Sequence, residues 1–276
     1  MQRAINRGLA RREKTWVKNL GIDETSYQKR HKYVTVLVDK DRGIVLDVLP
    51  DRKAETVTEW LRTQKACNIR HIQSISMDMW DPFIKAVREA IPHADRIIAF
   101  DRFHVCEHLN WALDKVRARE HKALAAEIGS SPLTKTRFLW LTNSERVDNR
   151  TKKRKGFLDL TRLHLQTSRA WRIKETASTI WDLRYMAVVI HNWKRLLGWI
   201  SRCRIPEMIQ VGKTIKHYFW GIINAIRLQA NNSMLESKNA CIQRIKKIAF
   251  GFRNKERFRR SILFHLGGLD MSPSTL

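Results

Sequence analysis

The stretch "NLGIDETSYQKRHKYVTVLVDKDRGIVLDVLP" (residues 19–50) decides the fold class. It contains three runs rich in β-branched and apolar residues, and the turn "KDRG" (40–43) separates the second run from the third. A tight turn with glycine between two such runs is typical of a β-hairpin. The stretch therefore predicts an antiparallel meander of three strands near the start of the chain.

Helices and strands alternate after this meander. The segments "AETVTEWLRTQ" (54–64) and "DPFIKAVREAI" (81–91) have the spacing of amphipathic helices. The segments "IQSISMD" (72–78) and "RIIAFD" (96–101) have the character of strands. Because strands that alternate with helices favour parallel pairing, we predict an α/β fold with a mixed sheet.

The second half of the chain has a different pattern. From about residue 104 to residue 267 the sequence is almost wholly amphipathic and helical. The first of these helices has an apolar stripe made of Val105, Leu109, Ala112 and Val116. The segment "TNSERVDNRTKKRKG" (142–156) is interpreted as a polar, basic connector between helices.

The composition points to a polyanionic partner. The 276 residues include 53 Lys and Arg against 27 Asp and Glu, a formal net charge of +26. Such an excess repels itself and favours nucleic acid as the partner, the alternative being a merely basic surface. No apolar run approaches the about 20 residues that a membrane span needs. The four cysteines form no CxxC pair, which argues against a zinc ribbon or a secreted disulfide scaffold and for a reducing, intracellular compartment.

Three carboxylates are placed at predicted strands. Asp23 lies in the first strand, Asp78 ends the fourth and Asp101 ends the fifth. Ligands of α/β sheets bind beyond the carboxyl ends of strands, and adjacent acids there repel each other unless cations neutralise them. Oxygen ligands of this kind suit Mg²⁺ or Mn²⁺. The alternative for each acid is a turn cap or an ion pair with a lysine.

A late segment adds a further acid. On a helix, "NNSMLESKNACIQRIKKIAFGFRN" (231–254) separates two faces. The apolar face consists of Leu235, Ile242, Ile245 and Ala249. The polar face consists of Glu236, Asn239, Gln243 and Lys247. The polar face can hold a metal next to a phosphate backbone, or it is a solvated face on which Glu236 pairs with a basic residue.

The segment "RIIAFDRFHVCEH" (96–108) leaves a metal site of another kind open. It brings Asp101, His104, Cys106 and His108 within eight positions, and together they are an alternative zinc site. The chain reverses direction there from strand to helix, and the paired spacings of closed zinc sites are absent. Cys106 and His108 are therefore expected in the following helix.

These motifs together resemble the ISL-three family of bacterial insertion-sequence transposases, whose core is an RNase H-like DDE domain. The matching stretches, in family order, are "AINRGLARR", "GIDETSYQKRHKYVTVLVD", "SISMDMWDPFIKAVREAIPHAD", "FDRFHVCEHLNWALDKVRARE", "ESKNACIQRIKKIAFGFRN" and "ILFHLGGLD". The resemblance implies an RNase H-like mixed-sheet core with a large all-α insertion before the last catalytic helix.

The resemblance also implies the site. Asp23, Asp78 and Glu236 would be the catalytic acids and the ligands of two Mg²⁺ or Mn²⁺ ions. Asp101 and His104 would orient those ligands or the scissile phosphate, and Asp101 remains open as a ligand itself.

The resemblance also implies a division of the chain into domains. Residues 1–17 would be the remnant of an N-terminal DNA-binding helix, and 18–104 the first part of the core. Residues 105–228 would be the helical insertion, and 229–276 the C-terminal helices that carry the catalytic Glu. Family members have a cysteine-rich zinc-binding segment and a helix-turn-helix before the core, and we expect this chain to lack them.

The expected function is a Mg²⁺-dependent DDE transposase that cuts DNA at element ends and joins 3′-hydroxyls to target DNA. Its partners would be double-stranded DNA and further copies of the chain, as a homodimer or higher assembly, in the cytoplasm at the bacterial nucleoid. One alternative is a catalytically inactive transposase remnant that binds DNA or a full-length partner. Another is a cellular nuclease with the same metal chemistry.

Basic and aromatic residues complete the predictions. We expect phosphate contacts from Arg244, Lys246, Lys247, Arg253, Lys255, Arg259 and Arg260. The run "TKKRK" (151–155) is equally dense in charge but is interpreted as a solvated face. Trp80 either stacks on a base or packs beside its strand. The helical spacing assigns Trp171, Trp181, Trp193 and Trp199 to the core.

Overall fold

A computed structural model of the chain describes residues 1–12, 16–28, 32–64, 69–142, 152–230 and 233–273, with backbone alone for 152–155. Its helices and strands in chain order are α1 Gln2–Arg11, β1 Asn19–Gln28, β2 Lys32–Asp39, β3 Ile44–Leu49, α2 Ala54–Thr63, β4 Ser74–Met77, α3 Asp81–Ala90, α4 Ala94–Ile97, β5 Ile98–Phe100, α5 Arg102–Ile128, α6 Arg137–Leu141, α7 Lys152–Arg162, α8 Gln166–Ile180, α9 Met186–Arg202, α10 Pro206–His217, α11 Phe219–Arg227, α12 Ser233–Ile248 and α13 Lys255–Leu266.

The chain divides into two compact units. The sheet unit consists of residues 1–101 and 220–276, and the helical unit consists of residues 102–219. The divisions expected from the sequence come slightly later, after residues 104 and 228. None of the helices in the described part of the chain is long and apolar enough to cross a membrane.

Within the described residues of the sheet unit, five strands form one mixed sheet in the order β3-β2-β1-β4-β5. Strands β1 to β3 are the predicted antiparallel meander. Strands β4 and β5 pair in parallel with β1 and with each other. The prediction of an α/β fold with an RNase H-like mixed-sheet core is therefore confirmed.

One face of the meander carries an apolar core shared with the chain ends. The strand side chains in this core are Tyr27, Val34, Val36, Val38, Val45 and Val48. They cluster with Ile5 of α1, with Leu235 and Ile242 of α12, and with Phe258, Ile262 and Leu263 of α13. Period-two alternation places Val34, Val36 and Val38 on this face. Val45 and Val48 are three residues apart and share it because the β2–β3 pairing has a register shift between Leu37 and Val38. The C-terminal helices are thereby fixed on the sheet.

The edge strand β5 is covered by α11. The amide of Asn224 donates to the carbonyl oxygens of Ile98 at 2.9 Å and Asp95 at 2.7 Å. Gly221 lets this helix approach closely, because a Cβ there would overlap the ring of Phe100. Backbone groups of this sheet edge thus bond within the unit, which stabilises an otherwise exposed strand.

The helical unit has a core of its own. The predicted stripe on α5 is confirmed, since Val105, Leu109, Ala112 and Val116 are all at most 1% exposed. Helix α5 packs on α8 and α10. The carboxylate of Glu120 accepts hydrogen bonds from the backbone N–H groups of Gln166 and Thr167, so an acid satisfies the N-terminus of α8.

Three details of the sequence analysis are wrong. Ile97 belongs to the short helix α4, and strand β5 begins one residue later, at Ile98. The part of the supposed connector from Lys152 to Gly156 is the start of helix α7. Trp199 is 37% exposed and is not a core residue, whereas Trp193 is fully buried. Residues 143–151 of the connector lie outside the described residues, as do the side chains of "TKKRK".

Candidate active site

Three acids lie near the point where the parallel strands of the sheet end. The last pair of the β1–β4 ladder is Gly21 with Ser76; Asp23 follows Gly21 by two residues, and Asp78 follows Ser76 by two, just after β4 ends at Met77. On the other side β4 pairs Met77 with Phe100, and the N–H of Asp101 donates to the Met77 carbonyl at 3.2 Å. Residues at the same register of parallel strands share a face. The strand-end positions predicted for Asp78 and Asp101 are therefore confirmed.

Helix α12 lies against the same face because β1 has a glycine there. A Cβ on Gly21 would lie 2.9 Å from Cγ of Leu235 and would overlap its methyl groups. Only a residue without a side chain allows this approach, and Leu235 fills the space at 4% exposure. The next residue on the helix is Glu236, in its first turn. The close contact thus determines which part of α12 faces the strand carrying Asp23.

Polar side chains of α12 hold it to β1 along its length. Nδ2 of Asn239 donates to Oδ2 of Asp23 at 2.5 Å, and Nε2 of Gln243 donates to Oγ1 of Thr25 at 2.7 Å. The ammonium of Lys246 donates to the backbone oxygen of Ser26 at 2.7 Å. Asn239, Gln243 and Lys246 recur at steps of four and three, so they lie on successive turns of one face of α12.

The predicted separation of α12 into a polar and an apolar face is only partly correct. Asn239 and Gln243 are neither solvated nor apart from the apolar side chains but bond to β1, and the lysine that reaches the strand is Lys246. Lys247 is exposed, and Ala249 lies beyond the end of the helix. On the apolar face Leu235 and Ile242 are buried.

The donor chemistry of Asp23, Asp78 and Glu236 fits a hard divalent cation. Their carboxylate oxygens are the ligands that Mg²⁺ and Mn²⁺ prefer. Asp23 accepts hydrogen bonds from the N–H of Glu24 at 2.7 Å and from Asn239, which orient its carboxylate. Glu236 is exposed. In the described residues no three His, Cys, Asp or Glu side chains are gathered closely enough to hold a metal. The ligand assignment stays a prediction.

A lysine that the sequence analysis missed lies at this face. Lys40 follows β2, and its ammonium donates to Oγ of Ser76, two residues before Asp78, at 2.6 Å. Burial lowers the pKa of Lys40 to about 8, while the carboxylates of Asp101 and Asp41 act in the opposite direction. The ammonium places a positive charge among the strand-end acids. No local signal marks it, because its partners are far away in the sequence.

Asp101 and His104 lie on either side of a structural division. Asp101 is the last residue of its part of the sheet unit and is 9% exposed. His104 is in the first turn of α5, where its Nδ1 lies 3.2 Å from Oε2 of Glu107. Cys106 and His108 are in the same helix, as expected. The alternative zinc site is not supported, since no metal-binding group of three such side chains occurs in the described chain.

Comparison with known proteins identifies the family. Residues 20–262 match the ISL-three family, which is described as a transposase. The chain belongs to this transposase family. The transposase for insertion sequence element IS1557 of Mycobacterium tuberculosis (strain CDC 1551 / Oshkosh) is 26% identical over 279 residues, covering 91% of this chain. The transposase for insertion sequence element IS1001 of Bordetella parapertussis is 26% identical over 251 residues, covering 90% of this chain. The chain spans 61% of the length of each of these curated relatives. No solved structure matches it.

The basic residues predicted to contact DNA fall into two groups. Arg244, Lys247, Arg253 and Lys255 are exposed. The others already bond within the sheet unit: Lys246 to Ser26, Arg259 to Asp47 and Glu256, and Arg260 to Glu256. Arg244, Lys247 and Arg253 can contact a phosphate backbone without breaking these bonds. Lys255 would leave the ring of Tyr27, whose centroid lies 5.6 Å from its ammonium. The residues of the second group would exchange one partner for another.

Trp80 lies close in sequence to Asp78 and is 39% exposed. The guanidinium of Arg52 lies over its ring, 5.0 Å from the centroid, and also over the ring of Tyr33 at 4.7 Å. Glu24 pairs with the same guanidinium at 3.2 Å. This cation–π arrangement orients the indole beside the strand-end acids. Both interpretations of Trp80, base stacking and packing, remain predictions.

Proposed function

We propose that this member of the ISL-three transposase family is the catalytic core of a DDE transposase. It would cut DNA at the ends of an insertion sequence and join the freed 3′-hydroxyls to target DNA. The observation that carries this proposal is that Asp23 and Asp78 each follow the last pair of the β1–β4 ladder, Gly21 with Ser76, by two residues, while the helix of Glu236 packs on Gly21.

The metal chemistry is part of the proposal. Asp23, Asp78 and Glu236 would hold two Mg²⁺ or Mn²⁺ ions, which activate an attacking oxygen and stabilise a departing one when bound. Asn239 would keep one oxygen of Asp23 engaged, so that the carboxylate presents its remaining lone pairs in a fixed direction. Lys40, held by its hydrogen bond to Ser76, would compensate part of the negative charge of Asp101.

The reaction itself consists of two displacements at phosphorus. In the first, a water oxygen attacks the phosphodiester at the element end, and the bond to the 3′-oxygen breaks to leave a 3′-hydroxyl. In the second, that hydroxyl attacks a phosphodiester of target DNA, and the target strand leaves through its own 3′-oxygen. Exposed Arg244 and Lys247 of α12, and Arg253 between α12 and α13, would neutralise phosphates of the DNA backbone.

The partners follow from the chemistry. Joining two element ends to one target requires at least two copies of the site, so we propose a homodimer or higher assembly on double-stranded DNA. The net charge of +26 supports a long contact with the DNA backbone. The place of action would be the bacterial nucleoid.

The test is a nicking and strand-transfer assay. Purified protein would be incubated with labelled duplex DNA carrying the element's own ends, in Mg²⁺ or Mn²⁺, with EDTA and Asp78→Asn as controls. We expect metal-dependent nicks at the ends and joined products, both abolished in the variant. Equal nicking by the wild type and by folded Asp78→Asn would contradict the proposal.

A second candidate is a DNA-binding chain without catalysis. The observation that favours it is the net charge of +26, which supports DNA binding by itself and does not require the three acids to work. The same assay separates the two functions. Retained DNA binding with no nicking in either metal would establish the second candidate.

A further inference from the structure

A basic groove lies on the surface of the helical unit, between α8 and α9. It has a volume of about 750 Å³. Its lining is Thr176, His191, Asn192, Lys194, Arg195, Leu196, Gly198, Trp199 and Arg202. Three of these side chains carry a permanent positive charge, and none of the described lining residues is acidic. A groove with this balance attracts anions.

The groove is built from one face of α9. His191, Arg195, Trp199 and Arg202 recur at steps of four, four and three, which is the spacing of neighbours along a helix surface. The opposite face of the helix is its packing surface, where Val189, Trp193 and Ile200 are buried. Because the packing surface anchors the helix, the charged face is held rigidly towards solvent.

Gly198 and Trp199 shape the centre of this face. A Cβ on Gly198 would lie 3.5 Å from Nη2 of Arg202, so the guanidinium lies over the glycine. Trp199 is 37% exposed. An indole among cations presents an apolar surface of the kind that packs against a sugar or a base. The groove therefore combines phosphate-binding groups with one flat aromatic side chain.

Other carboxylates of the neighbourhood are engaged elsewhere in the helical unit. Glu175 pairs with the buried ammonium of Lys174 at 2.7 Å. Glu207 pairs with Arg119 at 2.7 Å. By contrast, Lys194, Arg195 and Arg202 are exposed on α9. The arrangement leaves their charges facing solvent rather than a protein anion.

We propose that the α8–α9 groove is a second DNA-binding surface, which holds the phosphodiester backbone of a duplex through Lys194, Arg195 and Arg202. Trp199 packs against the sugar–phosphate chain at its centre. The inference rests on the proposed function for the identity of the polyanion. It adds to that function a contact made by the inserted helices, away from the strand-end acids in the sequence.

The experiment compares two triple variants of the full chain. The groove variant is Lys194→Gln, Arg195→Gln and Arg202→Gln. The control variant is Lys122→Gln, Lys213→Gln and Lys216→Gln, which removes the same charge from exposed positions elsewhere in the helical unit. Duplex dissociation constants would be measured over a series of salt concentrations, and thermal unfolding would establish that both variants fold.

Each lost phosphate contact lowers the slope of log affinity against log salt by about one. We expect the magnitude of this slope to decrease by about two to three in the groove variant and by less than one in the control variant. Equal decreases in the two variants would overturn the proposal. If the groove variant fails to fold, hydrogen exchange of the wild type decides, since protection of α9 on adding duplex supports the groove and unchanged exchange overturns it.

The outcome is independent of whether the strand-end acids work. Every binding measurement would be made in EDTA with Asp78→Asn, and nicking would be recorded separately with the wild type. A groove effect without any nicking supports the second DNA surface and contradicts the proposed catalysis. Nicking with no groove effect supports the catalysis and contradicts the second surface.

Discussion

At the scale of single residues, Lys40 is the most unusual group of the sheet unit. Its ammonium is partly buried, bonds to Ser76 and lies near Asp101, yet burial lowers its pKa from 10.5 to about 8. The desolvation of the ammonium therefore outweighs the attraction of the acids. A partly buried ammonium in this position lowers the stability of the protein wherever the lysine is charged.

Lys40 makes the stability of the protein depend on pH. The pKa of the ammonium is lower in the folded than in the unfolded chain, so the unfolded chain binds more protons between about pH 8 and 10.5. The contribution of Lys40 to stability is fully present above that window and is lost as the pH falls through it. As the pH rises through the window, we expect the free energy of unfolding of the wild type to increase by on the order of 1–2 kcal/mol relative to that of Lys40→Met, after allowance for solvent screening.

Urea unfolding in EDTA at a series of pH values measures this difference. Lys213→Met makes the same replacement at an exposed position and corrects for the general effect of losing one charge. If the wild type and Lys40→Met differ by the same free energy of unfolding at every pH in the window, the burial of this ammonium is contradicted.

At the scale of elements, the approach of α12 to β1 determines the geometry of the site. Leu235 occupies the space over Gly21, and the hydrogen bonds of Asn239 and Gln243 continue the contact along the strand. The helix is thereby placed by packing and not by its acid. A change at Gly21 should affect the site without touching any carboxylate.

Gly21→Ala tests this placement. The added Cβ overlaps Leu235, so we expect a loss of about 1–3 kcal/mol in the free energy of unfolding and a marked loss of nicking. Gly156→Ala is the control, because nothing lies within 4 Å of its Cβ and alanine favours the helix there.

Leu235→Ala in the Gly21→Ala background makes the test sharper. This change removes the overlapping atoms. The double variant should therefore lose less free energy of unfolding than the two single variants lose in sum. Strict additivity of the unfolding free energies would show that α12 does not depend on this contact.

Much of the sheet could be predicted because its signals are local. The meander of β1 to β3, the helices α2 and α3 and the positions of Asp78 and Asp101 all follow from alternation, turns and chain order. The roles of Gly21 and Lys40 could not be predicted in this way. Their partners Leu235 and Ser76 are distant in the sequence, and only tertiary packing brings them together.

The errors in the helical region have physical causes. Trp199 follows Trp193 by six positions, which turns a helix by about 600° and separates the two side chains by roughly 120°. Both therefore cannot face the same core, and Trp199 is exposed. The basic run at the start of α7 has no apolar spacing, but lysine and arginine favour helices intrinsically.

At the scale of the whole molecule, the positive charge is distributed over both units. Exposed Arg244, Lys247 and Arg253 lie on the C-terminal part of the sheet unit, and the α8–α9 groove lies on the helical unit. Each unit therefore has its own core and its own cationic surface. If the proposed groove binds DNA, residues 102–219 contribute to DNA binding in addition to their own packing.

The central claim is that Asp23, Asp78 and Glu236 act as one catalytic site in this transposase family member. The most direct measurement is the single-turnover rate of nicking for Asp23→Asn, Asp78→Asn and Glu236→Gln, with duplex binding measured in parallel. Glu59→Gln, on the exposed surface of α2, is the control for the loss of one negative charge.

We predict that each of the three changes lowers the rate of nicking by at least about a thousandfold and leaves duplex binding intact. Combining two of the changes should lower the rate little further, because the effects of residues that act as a unit are not additive. The control should nick at the wild-type rate. Wild-type nicking by any one of the three variants would contradict the assignment of that acid and, with it, the single site.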